Sequence, residues 1–121
     1  MKILLQSPKS FVKYKVPTTT LDSFLKKNKI KTIDILKIDI EGSEYELLKG
    51  AKNALKKEKI KIILIEIIDK KNLYAQKEKK ILNLLKERNF VLIKKKNILS
   101  VSLFSNIKGG DYLFINNRYI R

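Results

Sequence analysis

Residues 33–44 read IDILKIDIEGSE, and the rest of the chain is organised around this segment. Its apolar residues are mostly β-branched, which is typical of a strand that is covered on both faces of a sheet. Gly42 then permits a turn, and Ser43 and Glu46 have the spacing of a capping box at the start of a helix. Ligands of open α/β sheets bind at the carboxyl ends of the strands, so we expect the functional site in the acidic loop after this strand.

Hydrophobic periodicity places this strand within an alternating series of helices and strands. The spacing predicts helices over 21–28, 44–57 and 74–88, and strands over 33–40, 60–68, 90–93 and 112–115. Such alternation indicates a parallel sheet with right-handed crossovers. No helix separates the last two strands, so these should pair antiparallel. Residues 97–111 are predicted to be a loop in which Gly109-Gly110 forms a hairpin turn.

Local signals mark several helix ends. The hydroxyl groups of Thr18, Thr19 and Thr20 can cap the first helix, and Asp22 in its first turn suits the helix dipole. Asn89 is predicted to end the third helix in a left-handed conformation. Gly50 is unfavourable inside a helix, and close packing on the sheet would explain it.

Composition restricts the chemistry of the chain. Its 121 residues suggest one domain, and 44% apolar residues are too many for a disordered tail. The sequence has no cysteine and no histidine, which excludes disulfides, thiolate metal sites and a histidine base. No apolar run is long enough to span a membrane, and no signal peptide is evident. We therefore expect a cytoplasmic protein.

The formal net charge of +16 suggests either a polyanionic partner or a lysine-rich composition without a functional meaning. Only three of the 28 basic residues are arginine, and aromatic residues are few. A dedicated nucleic-acid-binding protein favours arginine and interleaved aromatic residues. We therefore predict no specific binding of nucleic acid, but weak binding of polyanions at low salt.

Three segments resemble the FkbM-type family of S-adenosylmethionine-dependent methyltransferases. They are TLDSFL at 20–25, IDILKIDIEGSEYELLKGAKNAL at 33–55 and KIILIEI at 61–67. The run Leu-Lys-Ile-Asp-x-Glu-Gly-x-Glu at 36–44 is the most distinctive part. The resemblance extends from about Val16 to about Asn117. It implies a partial Rossmann-like class I methyltransferase fold, with a mainly parallel sheet and a C-terminal antiparallel hairpin.

In that family a glycine-rich turn in the first half of the fold holds the cofactor. The four glycines of this chain, at 42, 50, 109 and 110, do not form such a turn. The resemblance therefore implies the C-terminal half of a methyltransferase-like domain over 16–121, after a poorly matched segment over 1–15. It implies S-adenosylmethionine as the cofactor and an incomplete cofactor site in this chain.

The resemblance also implies roles for residues near the strand ends. Asp39 would orient or deprotonate a substrate hydroxyl group, and Glu41 would share that work. Glu66, Lys37 and Glu44 are candidate substrate-binding residues. Glu66 interrupts an apolar strand and therefore needs a partner. It either lines the same cleft or pairs with a lysine such as Lys37. Oxygen ligands for Mg²⁺ exist in this loop, but we predict no metal site.

We therefore predict methyl transfer to a hydroxyl group of a sugar, a lipid-linked molecule or another metabolite, by a truncated or partial enzyme. The resemblance implies a small-molecule or glycan acceptor. The open edge of half a sheet invites a homodimer or a separate chain that carries the cofactor half. The alternatives are a non-catalytic remnant or scaffold module and a basic nucleic-acid-binding protein.

Overall fold

A computed structural model describes residues 12–70, 77–97 and 107–120, and for residues 68–70, 97 and 107–109 it describes the backbone alone. Within these ranges the predicted order of helices and strands is confirmed, with one helix divided in two. The elements are α1 (Leu21–Lys27), β1 (Ile33–Ile38), α2 (Glu44–Lys49), α3 (Lys52–Lys56), β2 (Ile60–Lys70), α4 (Lys77–Glu87), β3 (Phe90–Asn97) and β4 (Ile107–Asn116), followed by a 3-10 turn over Asn117–Tyr119.

The four strands form one sheet in the order β1-β2-β4-β3. β1 and β2 are parallel, whereas β4 is antiparallel to both β2 and β3. The prediction of an antiparallel pair at the end of the chain is confirmed. The prediction of a mainly parallel sheet is wrong for the described residues, because β4 returns between β2 and β3. The described sheet is mixed.

Gly109 and Gly110 lie inside β4, where they pair with Ile68 and Ile67 of β2. Gly110 also pairs with Asn97 of β3. The prediction of a hairpin turn at these glycines is therefore wrong. Glycine is unfavourable in the interior of a strand, but pairing on both sides imposes the extended conformation here. The connection between β3 and β4, residues 98–106, lies outside the described residues.

The hydrophobic core lies on one face of the sheet. Ile63, Ile65 and Ile67 of β2 are at most 2% exposed, as expected for alternate residues that point to one side of a strand. The helices cover this face with buried residues of α2, α3 and α4, namely Leu48, Ala54, Leu55, Ile81 and Leu85. On the opposite face Ile35 is 58% exposed. We expected cover on both faces, but the described helices provide it on one.

Two short helices replace the single helix that we predicted over 44–57, because the chain turns at Gly50 and Ala51 between α2 and α3. A Cβ atom on Gly50 would lie 3.2 Å from the Cβ atom of Thr20. The close approach at Gly50 is thus to the segment before α1. Our explanation that Gly50 packs closely on the sheet is wrong.

Asp22 holds α1 against α3. Its carboxylate accepts hydrogen bonds from the backbone N–H groups of Asn53, at 2.7 Å, and Ala54, at 2.9 Å. These groups belong to the first turn of α3, where backbone donors have no partner within the helix. The carboxylate therefore caps a helix that lies 31 residues further along the chain.

Two of the predicted helix signals are confirmed and one is not. Thr20 caps α1 by accepting a hydrogen bond from the Ser23 N–H group. Asn89 adopts a left-handed conformation after α4, with a φ of 65°. Ser43 precedes α2, but its side chain makes no capping hydrogen bond. The predicted capping box is therefore absent.

Candidate functional site

The candidate site lies where β1 and β2 end beside β4. The parallel register aligns Ile38 with Ile65, so that Asp39 and Glu66 follow side by side. Glu66 also lies directly opposite Asp111 of β4. These three carboxylates line a cavity of about 440 Å³. The rest of its lining is Lys37, Ile38, Leu64, Ile65 and Tyr112.

The electrostatics of this cavity centre on Glu66. Hydrogen bonding to Asp39 raises the pKa of Glu66 above the ordinary value of 4.5. Burial and the negative charges of Asp39, Asp111 and Glu41 raise this pKa further. Neighbouring carboxylates disfavour one another's ionisation, so Glu66 holds its proton more tightly than an isolated glutamate does. In its protonated form Glu66 can donate a hydrogen bond to the exposed carboxylate of Asp39.

The sequence left two alternatives for Glu66, which were to line the cleft with Asp39 or to pair with a lysine such as Lys37. Glu66 lines the same cleft as Asp39, and hydrogen bonding to that carboxylate is the largest cause of the raised pKa of Glu66. Lys37 lines the cavity as well, but it forms no ion pair with Glu66 or with any other described residue. The ammonium group of Lys37 is exposed and adds a positive charge to the rim of an acidic cavity.

Glu41 has an unusual backbone conformation. Its φ of 42° lies in the left-handed region, and Gly42 follows with a φ of 125°. The three other described non-glycine residues with positive φ, namely Lys29, Glu58 and Asn89, each follow the end of a helix. That position commonly adopts the left-handed conformation, whereas Glu41 follows a strand. Backbone strain of this kind is concentrated at functional sites, so the conformation of Glu41 agrees with a functional role for this loop.

Glu44 is placed differently from the other predicted site residues. Its side chain is buried, forms an ion pair with Lys77 of α4 and accepts a hydrogen bond from the Gly42 N–H group at 2.8 Å. It is not part of the cavity lining. Glu44 thus has a structural role in this arrangement, and its predicted contact with substrate is not supported by its position.

Two residues of the cavity were missed from the sequence. Asp111 fell in the predicted loop, and Tyr112 was assigned only to a strand. The Tyr112 hydroxyl group donates a hydrogen bond to Glu78 of α4. Burial, followed by this bond, raises the pKa of Tyr112 to about 12. Only the register between β2 and β4 brings Asp111 opposite Glu66 and Tyr112 opposite Ile65, and no local pattern encodes that register.

In residues 12–70, 77–97 and 107–120, no group of three or more histidine, cysteine, aspartate or glutamate side chains is arranged to hold a metal ion. None of the described helices has the length and the apolar character needed to cross a membrane.

Comparison with known families gives one match. The family model for the methyltransferase FkbM domain matches residues 4–92, and the chain therefore belongs to this family. The match begins before Val16, where the resemblance in the sequence began, and it ends before Asn117. A search of curated proteins and a search of solved structures each found no match.

Membership of this family implies the use of S-adenosylmethionine. A glycine cradle that holds this cofactor would need glycines at which the backbone approaches the ligand closely. A Cβ atom on Gly42 would meet no atom within 4 Å, and one on Gly50 would meet Thr20. Gly109 and Gly110 are paired within β4. The described glycines thus serve turns, packing and strand pairing, and they do not form a cofactor cradle.

Proposed function

We propose that this chain supplies the acceptor side of an S-adenosylmethionine-dependent methyl transfer to a hydroxyl group. The acceptor is a sugar, a lipid-linked molecule or another metabolite. One observation carries the proposal: the exposed Asp39 carboxylate is held beside Glu66 in a cavity of about 440 Å³ at the strand ends. A cavity of this size suits a small acceptor, and membership of the FkbM family supports the reaction class.

Asp39 is proposed to act as the general base. In its protonated form Glu66 is proposed to donate a hydrogen bond to Asp39 and so to fix the orientation of that carboxylate. The other carboxylate oxygen of Asp39 is then free to accept the proton of the acceptor hydroxyl group as its oxygen becomes methylated. Lys37 lies at the same cavity and is proposed to orient a second oxygen of the acceptor. Positioned proton transfer of this kind contributes about 10²–10⁴-fold to rates.

The role of Glu41 is proposed to be the placement of the acidic loop. Its left-handed backbone turns the chain between Asp39 and the buried Glu44. Its charge also contributes to the raised pKa of Glu66. Because the described glycines form no cofactor cradle, these steps concern the acceptor hydroxyl group alone.

A partner is proposed at the edge of β1. β1 is the terminal strand of the described sheet, and Ile35 on this strand is 58% exposed. A strand edge without a partner among residues 12–70, 77–97 and 107–120, on a strand with exposed apolar side chains, favours association. We propose that a separate chain with the cofactor-binding half pairs there, and a homodimer is the alternative. Light scattering of the purified protein distinguishes a monomer from a dimer.

The test is methyl transfer by the full chain with Asp39→Asn. Labelled methyl groups from S-adenosylmethionine are followed into a panel of polyols, glycans and lipid-linked sugars. Asp39→Asn should lower the rate by about 10²-fold or more. The matched control is Asp34→Asn, on the same strand but away from the cavity, and it should keep the wild-type rate. An unchanged rate in Asp39→Asn would show that Asp39 is not the base.

A thermal melt separates an enzyme from a non-catalytic scaffold. A ligand present at about 100 times its dissociation constant stabilises a protein by about 2.7 kcal/mol. A higher melting temperature with S-adenosylmethionine supports an enzyme that binds its own cofactor. A cooperative melt without a shift agrees with a separate chain that carries the cofactor-binding half, and absence of methyl transfer with that chain present would replace the proposal by the scaffold alternative.

A further inference from the structure

A groove rich in lysine lies at the end of the sheet opposite the acidic cavity. It runs between α1 and α3 and has a volume of about 640 Å³. Lys31 lies just before β1 and Lys59 just before β2, so the groove borders the amino ends of these strands. We call it the lysine groove, and its five lysines are Lys26, Lys29, Lys31, Lys57 and Lys59.

The charge of the lysine groove is not neutralised by its surroundings. Asp22 is the one acidic residue of its lining, and both carboxylate oxygens of Asp22 accept hydrogen bonds from the first turn of α3. None of the five lysines forms an ion pair with another residue in the described part of the chain. Five ammonium groups and one carboxylate leave a formal charge of 5 − 1 = +4.

The lysine content of the whole chain does not account for this concentration. The chain has 28 basic residues, of which three are arginine, so 25 of its 121 residues are lysine. That is about one residue in five. In the lining of the groove lysine supplies five of ten residues. The positive charge is therefore concentrated at a concave surface, where field lines converge and local anion concentration rises.

The chemistry of the lining selects among anions. Lysine ammonium groups bind phosphate as point charges, and several of them around one groove match several phosphates. The lining contains no arginine and no aromatic residue, so it lacks the groups that read or stack nucleic-acid bases. Leu25, Ile30 and Ala54 form its apolar part. The volume suits a small ligand.

We propose that the lysine groove binds a small anion with two or more adjacent phosphate groups, either free in solution or as the head group of a lipid. This site is independent of the acidic cavity and of the proposed methyl transfer. Part of the positive charge of the chain thus forms an anion-binding site at the amino ends of β1 and β2.

The experiment measures inorganic pyrophosphate binding to the full chain by calorimetry at about 100 mM salt. The groove variant is Lys26→Gln, Lys29→Gln and Lys57→Gln together. Its control is Lys27→Gln, Lys79→Gln and Lys86→Gln, which removes the same charge from exposed lysines outside the groove. The groove variant should lose affinity by about tenfold or more, and the control by less than about threefold. Thermal melts of both variants verify that they are folded.

Equal losses in the two variants would show that the net charge of the chain, and not the groove, attracts the anion. Absence of pyrophosphate binding to the wild type would also overturn the proposal. So would tighter binding of a DNA duplex that both variants weaken equally, because that result assigns the charge to nonspecific nucleic-acid binding.

A second arm identifies the source of the phosphates. Phosphatidylcholine vesicles with about 5 mol % of a phosphoinositide are sedimented with the protein. Cosedimentation that pyrophosphate displaces and the groove variant lacks assigns the ligand to a lipid head group. Calorimetric binding of pyrophosphate without cosedimentation assigns it to a soluble diphosphate. Both results support the groove as the binding site.

Discussion

Glu44 and Lys77 form an ion pair inside the protein, with side chains that are 1% and 7% exposed. The pair joins the first residue of α2 to the first residue of α4. Burial alone would raise the pKa of Glu44, but the pairing with Lys77 and the hydrogen bond from Gly42 lower it overall. Glu44 is therefore a charged group in the core that depends on its partner.

Breaking this pair should be costly. Lys77→Met leaves the buried carboxylate of Glu44 without its main partner, and loss of one member of a buried pair costs about 3–5 kcal/mol. Urea unfolding followed by circular dichroism measures this loss. The control is Lys61→Met, which breaks the exposed pair with Asp34 and should cost less than about 1 kcal/mol. Similar losses in the two variants would contradict a structural role for Glu44.

Glu66→Gln should stabilise the protein at neutral pH. The folded pKa of Glu66 is raised, so the folded state holds this proton more tightly than the unfolded state. The tighter proton binding by folded Glu66 stabilises the protein fully at a pH below the ordinary pKa of glutamate. This stabilisation is lost as the pH rises through the pKa of Glu66 in the folded state. Glutamine keeps a donor for Asp39 without the charge. Unfolding curves of the variant and the wild type should differ at pH 7 and converge as the pH falls below the ordinary value of 4.5.

The control for this prediction is Glu87→Gln, at the exposed end of α4. Exposed substitutions change stability by less than about 0.5 kcal/mol, and this one should show no comparable dependence on pH. A wild type that is more stable than Glu66→Gln at pH 7 would show that the charged form of Glu66 is favoured by the fold. The same variant should keep most of the rate of methyl transfer, because glutamine still donates the hydrogen bond that orients Asp39.

Tyr112→Phe tests the bond between the sheet and α4. Tyr112 is 1% exposed and donates to Glu78, so its loss should cost about 1 kcal/mol. The stabilisation by this hydroxyl group is complete below the ordinary pKa of 10.0 and is lost as the pH rises towards about 12. An ultraviolet titration should accordingly lose its step near pH 12 in the variant. Tyr45→Phe, which removes a hydroxyl group outside this pair, should keep that step.

Asp22→Ala should destabilise the contact between α1 and α3. It removes the acceptor of two backbone donors in the first turn of α3, and loss of a capping side chain costs about 0.5–2 kcal/mol. Asp22→Asn should lower the free energy of unfolding by less than Asp22→Ala, since the amide oxygen can still accept one hydrogen bond. Denaturant midpoints measure both effects, with Asp34→Ala as the exposed control. If Asp34→Ala lowers the free energy of unfolding as much as Asp22→Ala does, Asp22 does not stabilise the protein by capping α3.

Local sequence predicted those features that depend on neighbouring residues. The β-branched run predicted β1, and hydroxyl and amide side chains predicted the cap at Thr20 and the left-handed Asn89. The loop with Asp39 was predicted to follow a strand, and the structure places it there. Such features were accessible because propensity and periodicity act over a few residues.

Other features depend on residues that are distant in the sequence. Glu44 was a candidate substrate-binding residue, and in the structure its buried side chain pairs with Lys77. Asp22 was assigned to its own helix, and it caps another. Asp111 reaches Glu66 only through the register of β2 and β4. Side-chain patterns within one strand give no information about which strand lies beside it.

The position of β4 has a consequence for how the protein is made. β4 follows the three other strands in the chain, yet it lies between β2 and β3. β2 and β3 therefore cannot join one sheet until β4 has left the ribosome. Until then, the apolar side chains of β2 have β1 on one edge and an open edge on the other. This sheet is completed only after β4 has been synthesised, and β4 then closes the edge of β2 that favours aggregation.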